Sequence, residues 1–169
     1  MLRVAHCVPL LCGLAMGSVA TAAPLRIATF EADATPPLGA PLCGGGVTPA
    51  QSVADPLSAR GIIVLAEGQD PIVICAVDWV GIGNGGHHAW RAALAEAAST
   101  DPDRVSIHVL HQHDAPYCDL TVEDLLAPRG LGGSTTDVPF MHEAMARAAK
   151  AVREAIPTAR KVTHIGLGE

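Results

Sequence analysis

Ile72-Val73-Ile74-Cys75-Ala76-Val77-Asp78 is the stretch that decides how this chain folds. Six apolar residues in a row, four of them β-branched, are too few for a typical helix. They show no polar alternation, so the segment is expected to be a central strand covered on both faces. Upstream, residues 58–66 form a second β-branched run. The gap between the two, Glu67-Gly68-Gln69-Asp70, suits an antiparallel hairpin. Downstream, past the flexible-looking Gly81-Ile82-Gly83-Asn84-Gly85-Gly86, the period changes. Over residues 87–98, Trp90, Ala93, Leu94, Ala97 and Ala98 recur on one side of a helix. Val105-Ser106-Ile107-His108-Val109-Leu110 then reads as a strand again. Strand, helix, strand is the unit of a parallel pair, so the expected fold class is α/β, a mixed β-sheet with helices packed on it.

Farther out, residues 25–31 alternate as a strand, and Thr35-Pro36-Pro37 ends it because proline cannot continue a ladder. Residues 38–54 form a loop rich in Gly and Pro, and its Gly44-Gly45-Gly46 lacks the strand-to-helix setting of a phosphate motif. Residues 112–138 make a long loop with one short helical turn near 122–126. A second helix is expected over 139–155, with Met141, Met145, Ala148, Ala149 and Val152 facing the sheet. Residues 161–169 still read as strand where the sequence stops, so the chain is expected to be an incomplete lobe of a larger α/β domain.

The first 22 residues stand apart. Met1-Leu2-Arg3, the apolar stretch 8–15 and the small residues Ala20-Thr21-Ala22-Ala23 make up a secretory signal peptide, which places the mature chain outside the cytoplasm, secreted or periplasmic. Eleven Lys and Arg against 17 Asp and Glu give a formal charge of −6, one unit more negative once Arg3 is removed. Nucleic acid is therefore not an expected partner. The basic residues between 147 and 161 have helical spacing and read as a solvated face. Cys43, Cys75 and Cys118 remain after processing, an odd number that leaves at least one thiol unpaired within the chain. Cys75 reads as core, and a pairing of Cys43 with Cys118 stays open. The sequence does not fix the oligomeric state.

The chemistry concentrates in His111-Gln112-His113-Asp114-Ala115-Pro116. If the strand alternation continues, His111 shares a face with Val105, Ile107 and Val109, and His113 can share its direction. Two imidazoles at a strand end suit zinc, with one binding metal while the other handles a proton or steadies an oxyanion. Asp114 is a candidate to orient an imidazole. Asp78 ends the neighbouring buried strand and would converge on the same sheet edge, where open α/β sheets place their ligands. His108 is expected to pack against a helix. His87 and His88 open a helix, and His142 and His164 lack neighbours at ligand spacing. No Gly-x-Ser-x-Gly elbow is present.

Four motifs in order carry a resemblance: Asp33-Ala34-Thr35-Pro36-Pro37-Leu38-Gly39, Asp55-Pro56-Leu57-Ser58-Ala59-Arg60, Asp78-Trp79-Val80-Gly81-Ile82, and residues 111–116. The chain resembles the neutral/alkaline, non-lysosomal ceramidase family, whose motifs are D-x-T-P-P-x-G, D-P-L-x-A, D-x-x-G-I and H-T-H-S-[AG]-P. The resemblance implies that residues 23–169 are the N-terminal part of a ceramidase-like catalytic domain. It implies a zinc-dependent hydrolase of N-acyl amide bonds in ceramide-like lipids, often associated peripherally with membranes. By the same resemblance His111 is a zinc ligand and His113 an active-site residue. A second His, a Glu, a Tyr and the serine of acyl attack are implied to follow residue 169. Gln112 stands where that family has Thr, and Asp114 where it has Ser. A non-catalytic secreted binding or structural domain of the same fold, and another metallo-amidohydrolase, are the alternatives.

Overall fold

The computed structural model describes residues 24–166 and 168. The expected signal peptide, residues 1–22, lies outside the described residues. Five strands form one sheet: β1 (Leu25–Asp33), β2 (Ser58–Ala66), β3 (Ile72–Val77), β5 (Val105–Val109) and β7 (Arg160–Lys161), in the order β5-β3-β2-β1-β7. The hairpin is as read, with β2 and β3 antiparallel and Ile62 opposite Ile74. β3 and β5 are parallel, Cys75 beside Ile107. The sheet is thus mixed and the fold α/β. A separate two-stranded parallel ladder joins β4 (Gly81–Ile82) to β6 (Tyr117–Cys118). Three helices complete the order: α1 (Asn84–Ala98), the short α2 (Leu120–Leu126) and α3 (Val138–Ala155).

Burial along β3 corrects the expectation of a strand covered on both faces. Val73, Cys75 and Val77 are fully buried, whereas Ile72 and Ile74 are 39% and 38% exposed. The reason is where the helices sit. α1 and α3 pack on each other and on the same face of the sheet, with Trp90, Leu94, Met141, Met145, Ala148 and Val152 in one core with Ala28, Phe30, Ile63 and Val73. The other face keeps Ile72 and Ile74 in solvent among the described residues. His108 belongs to that face and is exposed rather than packed against a helix. An apolar run cannot by itself distinguish one covered face from two when its outward residues are also apolar.

Residues 161–169 were expected to form a strand, and the ladder is much shorter. Arg160 and Lys161 pair with Ile27 and Arg26, and the Val162 N–H reaches the Leu25 carbonyl at 2.8 Å. There β1 begins, and among the described residues the ladder extends no further. Residues 162–166 and 168 take no strand conformation. The long loop also holds more order than its composition indicates: β6 and α2 lie within it. The Thr136 hydroxyl donates to the Tyr117 carbonyl (3.1 Å), and the Gly133 N–H donates to Glu123 Oε1 (2.6 Å).

The glycines before α1 serve close packing more than flexibility. α1 starts at Asn84, three residues earlier than read, because its first turn lies directly on β6. A Cβ on Gly86 would meet Cys118 Sγ at 2.7 Å, and one on Gly81 would enter the Tyr117 ring. None of Cys43, Cys75 and Cys118 is in a disulfide. Burial pushes the Cys75 thiol up to about 12. Burial, helped by the Asp119 carboxylate, does the same for Cys118.

Two outcomes follow in a chain of residues 24–169. Val73→Ala, on the covered face, lowers stability by roughly 2 kcal/mol in urea unfolding, whereas Ile74→Thr changes it by less than about 0.5 kcal/mol. Equal costs would show that both faces are covered. A thiol reagent at neutral pH modifies Cys43 in the folded protein and reaches Cys75 and Cys118 only after denaturation. Rapid native labelling of all three would contradict the packing.

Candidate functional site

The carboxyl end of the parallel pair β3 and β5 is the place where a backbone rearrangement has chemical consequences. The ladder reaches Val109, and the Leu110 N–H still donates to the Val77 carbonyl (3.2 Å). Leu110 is then 61% exposed, and His111 turns into the left-handed region at φ +61°. Such a φ is uncommon outside glycine, though His tolerates it better than most residues. The expected alternation therefore stops before His111, which does not share the face of Val105, Ile107 and Val109.

What places His111 is the backbone just after β3. Its N–H donates to the Trp79 carbonyl (3.0 Å), and its Nδ1–H donates to the Val80 carbonyl (2.6 Å). A carbonyl only accepts, so the proton of a neutral His111 ring sits on Nδ1 and the lone pair on Nε2. That segment is held in turn by Trp79, which is fully buried against Trp90 (ring centroids 5.4 Å, edge-on) and Phe140 (5.9 Å). Its indole N–H donates to the Ala34 carbonyl (2.9 Å), and the Val80 N–H donates to the Pro116 carbonyl (3.0 Å).

His113 meets His111 edge-on, their ring centroids 5.0 Å apart, with Nε2 to Nε2 at 3.4 Å. That separation is long for a hydrogen bond. Both side chains are solvent-accessible. The direction of the His111 Nε2 lone pair therefore fits a metal ligand, with the His113 ring standing beside it. Among the described residues no group of three or more His, Cys, Asp or Glu side chains is arranged to hold an ion. Two imidazoles alone do not make a catalytic zinc site.

The two carboxylates behave differently from expectation. β3 and β5 are parallel, so Asp78 does lie at the same end of the sheet. Its Oδ2, however, accepts from the Ser58 N–H (2.8 Å) and the Ser58 hydroxyl (2.7 Å), which clamps β2 to β3. Its backbone carbonyl takes a hydrogen bond from Gln112 Nε2 at 2.6 Å. Asp114 does not orient His111, since the Val80 carbonyl holds that role. Instead Asp114 and Gln112 line a cavity against residues 48–57.

A second polar cluster went unread in the sequence. Asp119 is buried at the start of α2. Its Oδ1 accepts from the Thr121 and Val122 N–H groups (both 3.1 Å), and its Oδ2 accepts from Asn84 Nδ2 (2.6 Å). Asp followed by a short apolar helix was a legible cap signal. Burial, and then the charge of Asp119, push the neighbouring Tyr117 phenol above its ordinary value. His87 is held below its ordinary value by burial, then by Arg91 and His88. His142 and His164 are exposed and far in sequence from any partner imidazole.

Gly81→Ala tests the packing behind the site. The new methyl would occupy the space of the Tyr117 ring, and a loss of about 2 kcal/mol or more is expected in chemical denaturation. Wild-type stability in that variant would show that β4 and β6 part without cost.

No family model and no curated protein matches the chain in sequence. Solved structures do resemble it. A ceramidase complexed with C2 and the neutral ceramidase from Pseudomonas aeruginosa each match with a TM-score of 0.57 at 14% identity, over 82% of this chain and 22% of theirs. The chain thus shares a fold with part of these proteins and spans about one fifth of their length.

Proposed function

We propose that the chain supplies part of the active site of a zinc-dependent hydrolase that cleaves N-acyl amide bonds in ceramide-like lipids. The observation that carries the reading is the His111 imidazole. Its Nδ1–H is fixed on the Val80 carbonyl and its Nε2 lone pair is turned toward His113 Nε2 at 3.4 Å. The likeness in fold to ceramidases gives that pair its context.

In this reading His111 Nε2 is a metal ligand and His113 is the acid–base residue beside the substrate. When bound, zinc polarises the scissile carbonyl or activates the attacking oxygen. The remaining donors have to come from polypeptide other than residues 24–166. Hydrolysis breaks the amide C–N bond and forms a C–O bond with the elements of water, giving a carboxylic acid and an amine. His113 is placed to pass a proton to the departing amine nitrogen, and the Val80 carbonyl keeps His111 from rotating away. We further propose that residues 1–22 direct export, so that the enzyme works outside the cytoplasm or in the periplasm, with peripheral membrane contact supplying lipid substrate. No helix among the described residues is long and apolar enough to cross a membrane.

The test compares the full-length gene product with its His111→Ala and His113→Ala variants, reading zinc by elemental analysis and acyl-amide hydrolysis by product release. His111→Ala is expected to lose both. His113→Ala is expected to keep most of the metal and lose about 10²- to 10⁴-fold in rate. Unchanged zinc and activity in His111→Ala would remove His111 from the mechanism.

A further inference from the structure

Residues 110–112 carry the parallel ladder onward by mixed means. The Val77, Asp78, Trp79 and Val80 carbonyls are consecutive acceptors at the end of β3, and this short segment takes all of them. Val77 accepts the Leu110 N–H (3.2 Å), Trp79 the His111 N–H (3.0 Å), Val80 the His111 ring (2.6 Å) and Asp78 the Gln112 side-chain amide (2.6 Å). Only the Gln112 bond lies beyond His111. Among the described residues, neither the backbone nor the side chain of His113 or Asp114 has a hydrogen bond to another part of the chain; His113 meets only the neighbouring His111 ring. The next anchor is the Ala115 carbonyl, which accepts the Cys43 N–H (2.9 Å).

Gln112 finds the Asp78 carbonyl open because of the Asp78 side chain. One residue past the Ala59–Val77 pair, Ser58 and Asp78 stand opposite each other in the antiparallel ladder. Such a pair can exchange two backbone bonds. Here the Asp78 N–H does donate to the Ser58 carbonyl (2.9 Å), but the Ser58 N–H goes to Asp78 Oδ2 (2.8 Å). The carboxylate stands in for the backbone acceptor and leaves that acceptor to Gln112. Arg60 Nε donates to Ser58 Oγ (2.6 Å), and the Ser58 hydroxyl donates to the same Oδ2 (2.7 Å), which holds the carboxylate in place.

We propose that Gln112 is the positioning residue for His113, and that the Asp78 carboxylate enables this by freeing its own carbonyl. This deepens the amidase reading and rests on it for what His113 does to a substrate. His111 has its own anchors on Trp79 and Val80, so loss of the Gln112 bond spares the metal ligand and releases the 112–114 segment. The signature is impaired proton transfer with metal and substrate binding kept.

The variant that isolates the bond is Gln112→Met, close to glutamine in length and without a donor. In the full-length gene product it is expected to lose about 10- to 10²-fold in kcat, with zinc content and KM within about twofold of wild type. Asp78→Ala shares that loss, and Asp78→Asn, whose amide oxygen can still accept from Ser58, recovers most of it. The Asp78→Ala/Gln112→Met double variant loses no more than the larger single loss, because both substitutions break one chain of contacts. Crystal structures of the full-length wild type and Gln112→Met give a readout without turnover: the His113 ring stands beside His111 in the first and is displaced in the second. An unchanged kcat in Gln112→Met, a loss explained by missing zinc, or additive losses in the double variant overturns the proposal. So does a His113 ring that keeps its place in Gln112→Met. An inactive wild type in which Gln112→Met still displaces His113 counts against the amidase reading alone.

Discussion

Trp79 sits where the sheet, α1 and α3 meet, and its burial fixes the two backbone carbonyls on which the site is built. Its ring is enclosed by Trp90 and Phe140, and its N–H is satisfied by the Ala34 carbonyl, so the indole has one place to be. With the ring fixed, the Trp79 and Val80 carbonyls present acceptors to the end of the parallel ladder. His111 takes both, one with its backbone N–H and one with its ring. A left-handed residue at φ +61° costs energy that those two bonds offset. The strand ending, the imidazole direction and the tautomer of the neutral ring follow from one buried tryptophan.

Parts of this arrangement were legible in the residues and parts were not, for reasons that differ. The α3 face was readable because Met141, Met145, Ala148, Ala149 and Val152 keep helical spacing, and all five are buried. The parallel pairing of β3 with β5 followed from the helix between them. The exposed side of β3 was hidden because Ile72 and Ile74 are as apolar as the residues that face the helices. The turn at His111 was hidden because alternation carries no information about where a ladder ends. The glycine run before α1 gave a misleading flexibility signal, since the steric demand comes from Tyr117 and Cys118, some thirty residues later.

The candidate site divides in the same way. The histidine pair was found from residue type and position at a strand end. Asp78 was read as a third member because strand register placed it at the same edge, but register says nothing of which hydrogen bonds a carboxylate already makes. Its Oδ2 is occupied by Ser58. The orienting group for His111 turned out to be a backbone carbonyl, which no side-chain pattern encodes. A likeness at 14% identity shows the fold and leaves the chemistry to the residues themselves.

The claim on which this account turns is that the Val80 carbonyl selects the His111 tautomer and leaves Nε2 free to accept. Long-range ¹⁵N–¹H correlation spectra of the ¹⁵N-histidine-labelled protein, recorded with and without zinc above the pKa of free imidazole, measure this directly. The account predicts that His111 shows a protonated Nδ1 and an unprotonated Nε2 before metal is added, and that zinc shifts the Nε2 resonance while Nδ1 stays protonated. A His111 ring protonated at Nε2 in the metal-free protein, with metal on Nδ1 or on neither nitrogen, would contradict it.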